Sequence, residues 1–199
     1  DKATELYKNM DAYFAWNVEG YETYRYYDGN DVLRSWICIP LTMGIYDRAE
    51  GTVSALFSDK LWMENGLLTQ SGTSTYWDRS TLYAFRGAYA CGAREIATEY
   101  LEKYSATRLL GDHVPYAVEA WPEGNQRHLS TESALYCRIM TEGLFGIRPI
   151  ALNAFKLTPQ LPEGWNTMSL KRICAFGATF DIEVKRNKGN ALQVLIKKD

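Results

Sequence analysis

The 199-residue sequence predicts a mainly α-helical body over residues 1–149 and a small antiparallel β module over residues 150–199. Two observations carry that prediction. Before Gly146 most apolar residues recur at intervals of three and four, which places them on one face of a helix. After Pro149 they alternate with polar residues at an interval of two, as in half-buried strands. A third observation is punctuation: Asp78, Ser130, Gly143 and Gly146 stand where helix starts and stops are needed.

The first predicted helix is "ATELYKNMDAYF", residues 3–14, with Leu6, Met10, Tyr13 and Phe14 at helical spacing. "YETYRYYDGND" then alternates Tyr21, Tyr24 and Tyr26 with polar residues and reads as an extended segment closed by a turn at Gly29-Asn30, a short hairpin. "SWICIPLTMGIYDRA" restores apolar content after Pro40, and "TVSALFS" follows Gly51, so two short helices are expected. The polar, glycine-containing stretch 59–77 reads as a loop. Asp78 is suited to cap a long helix over 79–104, whose interior Gly87 and Gly92 each cost about 1 kcal/mol of helix propensity relative to Ala. Close packing against another helix would explain them.

From Ser105 to Leu129 the sequence loses its periodicity, and a loop of about 25 residues inside a compact domain is more often functional than idle. Ser130 then caps "TESALYCRIMTEGLF", where Glu132 in the first turn complements the positive end of the helix dipole. In the β module, "ATFDIEVKR" and "ALQVLIKK" are joined across "NKGN" as a hairpin.

Composition narrows the partners. With 22 basic and 24 acidic side chains the net charge is -2, which argues against a nucleic-acid or anionic-membrane surface. No apolar run approaches the roughly 18 residues of a membrane span. The chain begins "DKATELYKNM" with neither an initiator Met nor an apolar signal segment, so processing or truncation is expected to set its start. Cys38, Cys91, Cys137 and Cys174 are far apart and contain no C-x-x-C pair, so buried free thiols are expected. The unusual number is 14% aromatic, with 6 Trp and 14 Tyr, more than core packing asks for and suited to pockets that stack on flat ligand faces.

Several strings, in order, resemble the six-hairpin (α/α)6 toroid glycosidases. "SWICIPLTMGI" is similar to the proline-leucine helix entry of the trehalase and family 63 glycoside hydrolase branch. "NGLLTQSGTSTYWDRSTLYAFRGAYACG" is similar to that branch's Tyr-Trp-Arg-Gly-Pro segment, with Asp78-Arg79-Ser80 standing where the branch has Arg-Gly-Pro. "TPQLPEGW" is similar to the β-sandwich join of rhamnosidases, phosphorylases and related toroid enzymes. The resemblance covers roughly residues 1–185. It implies that residues 1–149 form the C-terminal part of a toroid of helical hairpins and that 150–199 form a β-sandwich-like module. It implies further that the general acid comes from an upstream helix-loop, absent from this chain.

On that resemblance the activity is a glycoside hydrolase, inverting, acting on an oligo- or polysaccharide, with this chain supplying the general base. Inversion needs one protonated and one ionised carboxyl about 6.5–9.5 Å apart. The family's base is a glutamate followed by an aromatic, a proline and a glycine, and "EAWPEG" supplies Glu119, Trp121, Pro122 and Gly124. Glu119 is the expected base and Glu123 its competitor. Tyr76, Trp77, Tyr116 and Trp121 are candidates to stack on sugar faces. Arg79, Arg127 and His128 are candidates to hold substrate hydroxyls, the arginines through charge-assisted hydrogen bonds. A toroid phosphorylase or polysaccharide lyase, or a non-catalytic sugar-binding fragment, remains as an alternative.

Asp28 and Asp31 read as turn residues. His113 and His128 lack metal-site spacing, no phosphate loop or G-x-S-x-G elbow occurs, and no cofactor or metal is expected. A partial toroid would expose apolar helix faces, so the partner expected besides the sugar is the missing N-terminal part of the same protein or a second copy. A periplasmic or secreted setting is favoured over the cytoplasm.

Overall fold

A computed structural model describes residues 1–108, 120–121 and 130–198, with the backbone alone for 120, 121 and 130. The Asp1 carboxylate accepts a hydrogen bond from the Thr4 amide at 2.9 Å and starts helix α1, Lys2–Phe14. The chain turns straight back through an antiparallel hairpin of β1 (Ala15–Val18) and β2 (Tyr21–Tyr24). Its two turn residues, Glu19 and Gly20, both have positive φ, the backbone that matches the twist of two-residue hairpins. The hairpin therefore closes here rather than at Gly29-Asn30.

A 3-10 turn at Ser35–Ile37 runs into α2 (Cys38–Met43), and α3 (Ala49–Leu56) follows. Two short strands, β3 (Trp62–Met63) and β4 (Gly66–Leu67), pair with each other, and β5 (Tyr76–Trp77) leads directly into α4 (Asp78–Ala90). The long helix expected over 79–104 is two helices. Gly92 takes φ 92°, and the amide of Ala93 returns to the carbonyl of Ala88 at 2.9 Å, so α4 ends and α5 (Arg94–Arg108) begins at a new angle. Strand β6 (Ala120–Trp121) pairs with β5, and α6 (Ser130–Arg138) continues into a π-helical stretch, Ile139–Leu144. A hairpin of β7 (Ile147–Ala151) and β8 (Ala154–Leu157) precedes β9 (Thr167–Ala175), β10 (Ala178–Arg186) and β11 (Leu192–Lys198). The last three form one antiparallel sheet in the order β11-β10-β9.

This corrects the expected fold class. Of the described residues 41% are helical and 29% lie in strands, so the chain is mixed α/β and not a mainly α piece of a helical toroid. The reason is local. Strands β3, β4, β5 and β6 have two residues each, too short for an alternation to register, and β1 and β2 lie in an aromatic stretch whose pairing is set by the turn between them.

Helix α4 is the centre of the packing, touching α2, α5, α6 and the π-helical stretch. Gly87 permits the approach of α2: a β-carbon there would lie 2.7 Å from Leu41 Cβ. Around α4, Phe57, Trp62, Phe85, Tyr100 and Tyr104 form a chain of edge and tilted ring contacts with centroids 4.8–6.0 Å apart. The buried cluster extends through Leu144, Phe145 and Leu161 to Met168, Ile182 and Val184 of the terminal sheet. Helix α1 buries none of its side chains and leaves Leu6, Tyr7 and Tyr13 exposed.

All four cysteines are free, but only Cys38 is fully buried; Cys91 is partly buried, and Cys137 and Cys174 are exposed, against the expectation of buried thiols. Burial pushes the thiols of Cys38 and Cys91 up, which keeps them protonated and unreactive at neutral pH.

The β1–β2 hairpin sits hard against α3. The hydroxyls of Thr23 and Thr52 are 2.8 Å apart in a buried contact, and a β-carbon on Gly51 would stand 2.1 Å from the Glu22 carbonyl oxygen. Gly51→Ala must push the hairpin away from the helix and is expected to cost about 1–3 kcal/mol, as overpacking does. Urea denaturation measures this, and an unchanged midpoint would show that the hairpin gives way freely.

Candidate functional site: an aromatic cleft

A concavity rich in aromatic side chains is assembled from segments that are far apart in sequence. Phe14 arrives at the end of α1, Tyr24 and Tyr26 at the end of β2, Arg34 and Trp36 at the 3-10 turn, and Trp77 at the end of β5; together they line a cavity of about 600 Å³. Trp36 and Trp77 meet edge to face, centroids 4.7 Å apart, and form one wall. The indole Nε1 of Trp77 is buried and has no hydrogen-bond partner among the described residues. Aromatic walls with a few polar groups are the usual make-up of a small-ligand site.

The segment carrying Arg34 and Trp36 is clamped from behind. Residue 34 pairs with Gln70, the Ser35 amide donates to the Thr69 carbonyl at 3.2 Å, and the Ser71 amide donates to the Leu33 carbonyl at 2.9 Å. Glu19, in the β1–β2 turn, ties the clamp together. Its carboxylate accepts from the Leu33 amide at 2.7 Å, from Lys60 Nζ at 3.0 Å and from the Ser71 hydroxyl at 3.2 Å. Burial pushes the Glu19 carboxyl up, but the hydrogen bonds from Leu33, Lys60 and Ser71 outweigh it, so the group sits below its ordinary value.

A folded-state value below the unfolded one means stability that is present above the unfolded value and is lost as pH falls through the folded one. Glu19→Gln is therefore expected to destabilise the chain at neutral pH by about 1.5–3 kcal/mol, the range for hydrogen bonds to a charged group. The gap to the wild type should close in acid. Urea midpoints at neutral and acid pH measure it; a gap independent of pH would show that the carboxylate charge is not what holds the clamp.

Two arginines line the cleft and differ in their pairing. Arg25 forms an ion pair with Asp28 at 2.5 Å, donates to the Tyr13 carbonyl at 2.8 Å, and lies over the Trp16 ring at 4.7 Å. Asp28 is thus a turn residue with a structural partner. The Arg34 guanidinium lies over the Tyr26 ring, 4.8 Å from its centroid, and its Nε is buried without a hydrogen-bond partner among the described residues.

The residues singled out in the sequence divide into three groups. Trp77 lies on the cleft, and Tyr76 is partly buried beside it in the β5–β6 ladder, paired with residue 121. Arg79 does not line the cleft: it donates to the fully buried Glu132 at 2.8 Å, so Glu132 stands in the first turn of α6 as expected and also links α6 to α4 through an ion pair. Likewise Asp78 is the first residue of α4 rather than the residue before it, and its carboxylate meets Arg108 at 3.0 Å. Glu119, Glu123, Tyr116, Arg127 and His128 lie outside the described residues, and Trp121 is described by its backbone alone.

Trp77 pairs with Ala120, the residue that follows Glu119 in sequence. Among the described residues no carboxylate lines the cleft. Sequence reading missed Phe14, Tyr24, Tyr26, Arg34 and Trp36 as site residues. The available signal was the density of aromatics in "YETYRYY" beside "LRSW", which read as a strand and a helix start.

Neither the protein-family models nor the curated proteins contain a match to this chain.

Proposed function

We propose that the cleft between Trp36, Trp77 and Tyr26 binds a carbohydrate, and that the chain is the general-base side of a glycoside hydrolase of inverting type. The observation that carries the reading is the antiparallel pairing of Trp77, which lines the aromatic cavity, with Ala120, the neighbour in sequence of Glu119. Sugar rings present C–H faces that pack on indole and phenol rings while their hydroxyls stay hydrated at the rim. In this reading Glu119 takes a proton from the water that attacks the anomeric carbon, with Glu123 as the competing base, and the acid that protonates the leaving group comes from outside the described residues.

A sugar-binding role without turnover is the second reading, favoured by the lack of any lining carboxylate among the described residues. The exposed apolar side of α1 adds a proposal of association, with more of the same protein or with a second copy. Light scattering of the purified chain tests it, and a monodisperse monomer at high concentration would refute it.

Binding is tested by titrating the chain with oligosaccharides and following tryptophan fluorescence. Trp77→Ala is expected to weaken binding at least about tenfold, since one buried aromatic stacking contact is of the order of 1 kcal/mol or more beyond its lost area. Circular dichroism checks that the variant folds. Saturable binding that ignores the substitution would remove the cleft from consideration.

A further inference from the structure

Resting on the carbohydrate reading of the cleft, we propose that Arg34 makes the site selective for sugars bearing a carboxylate, that is, uronic acids and their oligomers, over neutral sugars. The argument is one of charge and geometry. Of the two arginines lining the cleft, Arg25 is paired with Asp28, whereas among the described residues Arg34 has no carboxylate partner and its Nε no hydrogen bond. One face of the guanidinium lies against the Tyr26 ring and Arg34 lines the cavity, so what it offers a ligand there is its N–H donors.

These donors fit a carboxylate. Two parallel N–H donors meet two coplanar oxygens in charge-assisted bonds, roughly twice as strong as neutral ones, while a sugar hydroxyl satisfies one donor and no charge. A partly buried cation left without a counter-ion is costly, and an anionic ligand removes that cost. The backbone on both sides of Arg34 is held by the Glu19, Gln70 and Ser71 clamp, so its Cα is fixed before any ligand arrives. Among the described residues no carboxylate of the protein lines the cleft to compete with the ligand's.

The experiment compares three ligands of one chain length on the purified chain at about 0.15 M salt, where long-range attraction between exposed charges is screened. They are an oligogalacturonide, its methyl ester and a sulfated neutral oligosaccharide, followed by tryptophan fluorescence and calorimetry. The acid is expected to bind about tenfold or more tighter than its ester, and Arg34→Gln to bring the acid-to-ester ratio close to one, whatever it does to the affinity for the ester itself. Equal affinity for acid and ester in the wild type overturns the inference and leaves the carbohydrate reading in place. A sulfated sugar bound as tightly as the acid overturns the carboxylate class. Binding of none of the three overturns both this inference and the reading it rests on. Should Arg34→Gln fail to fold, the acid-to-ester ratio of the wild type decides alone.

Discussion

Glu119→Gln is expected to lower the hydrolysis of a glycosyl fluoride about 10²–10⁴-fold, the usual contribution of a positioned general base. Fluoride leaves without protonation, so this substrate asks only for the base and does not depend on a general acid elsewhere. Glutamine keeps the size and the hydrogen-bonding shape of the side chain while removing its ability to take the proton from water. Glu123→Gln serves as the comparison, because it stands four residues away in the same loop. If Glu119 is the base, the Glu123 variant retains most of the rate; if the two effects are exchanged, the assignments are exchanged with them. Fluoride release by Glu119→Gln at the wild-type rate would remove the carboxylate from the mechanism. No fluoride release by the wild type, with sugar binding intact, would leave the non-catalytic reading.

The second large effect concerns stability. Asp78→Ala is expected to cost about 3–5 kcal/mol, because it strips one partner from a buried ion pair and leaves the other charge desolvated. Asp78 opens α4 and is 1% exposed; Arg108 closes α5 and is 3% exposed, with a 3.0 Å contact between them. Tyr104, buried beside them, has its hydroxyl pushed well above the ordinary value, first by burial and then by the Asp78 charge. The pair therefore joins the start of one helix to the end of the next, directly behind β5 and the Trp77 wall of the cleft. Replacing both partners by apolar residues of similar volume should recover most of the loss, since an unpaired charge is worse than no charge. Urea denaturation of the two single variants and the double variant closes the cycle. A single variant within about 1 kcal/mol of wild type would mean that the pair is worth no more than an exposed one.

The aromatic cleft was legible in the sequence only in outline. The aromatic excess pointed to a stacking pocket, and Trp77 was among the residues expected to line it, yet Arg79, its neighbour by two positions, turns inward to Glu132. Adjacent residues at a helix start face different directions, and no spacing rule says which of two arginines meets a buried glutamate and which lines a cleft. Arg34 escaped notice because its place in the cleft is a property of the folded chain alone.

The sequence by itself determined the elements whose signal is local: the 3–14 helix, the helix beginning at Ser130, and the terminal hairpin turning at Asn187–Asn190, each with a spacing of apolar residues or a turn written in its own segment. Tertiary structure alone decided the rest. Ladders of two residues, the break at Gly92 and the mixed rather than mainly helical class depend on contacts between distant segments. So does the meeting of Phe14, Tyr26, Arg34, Trp36 and Trp77 around one cavity. Such contacts are chosen by the burial they achieve together, and periodicity within a short window carries no record of the partner that makes burial possible.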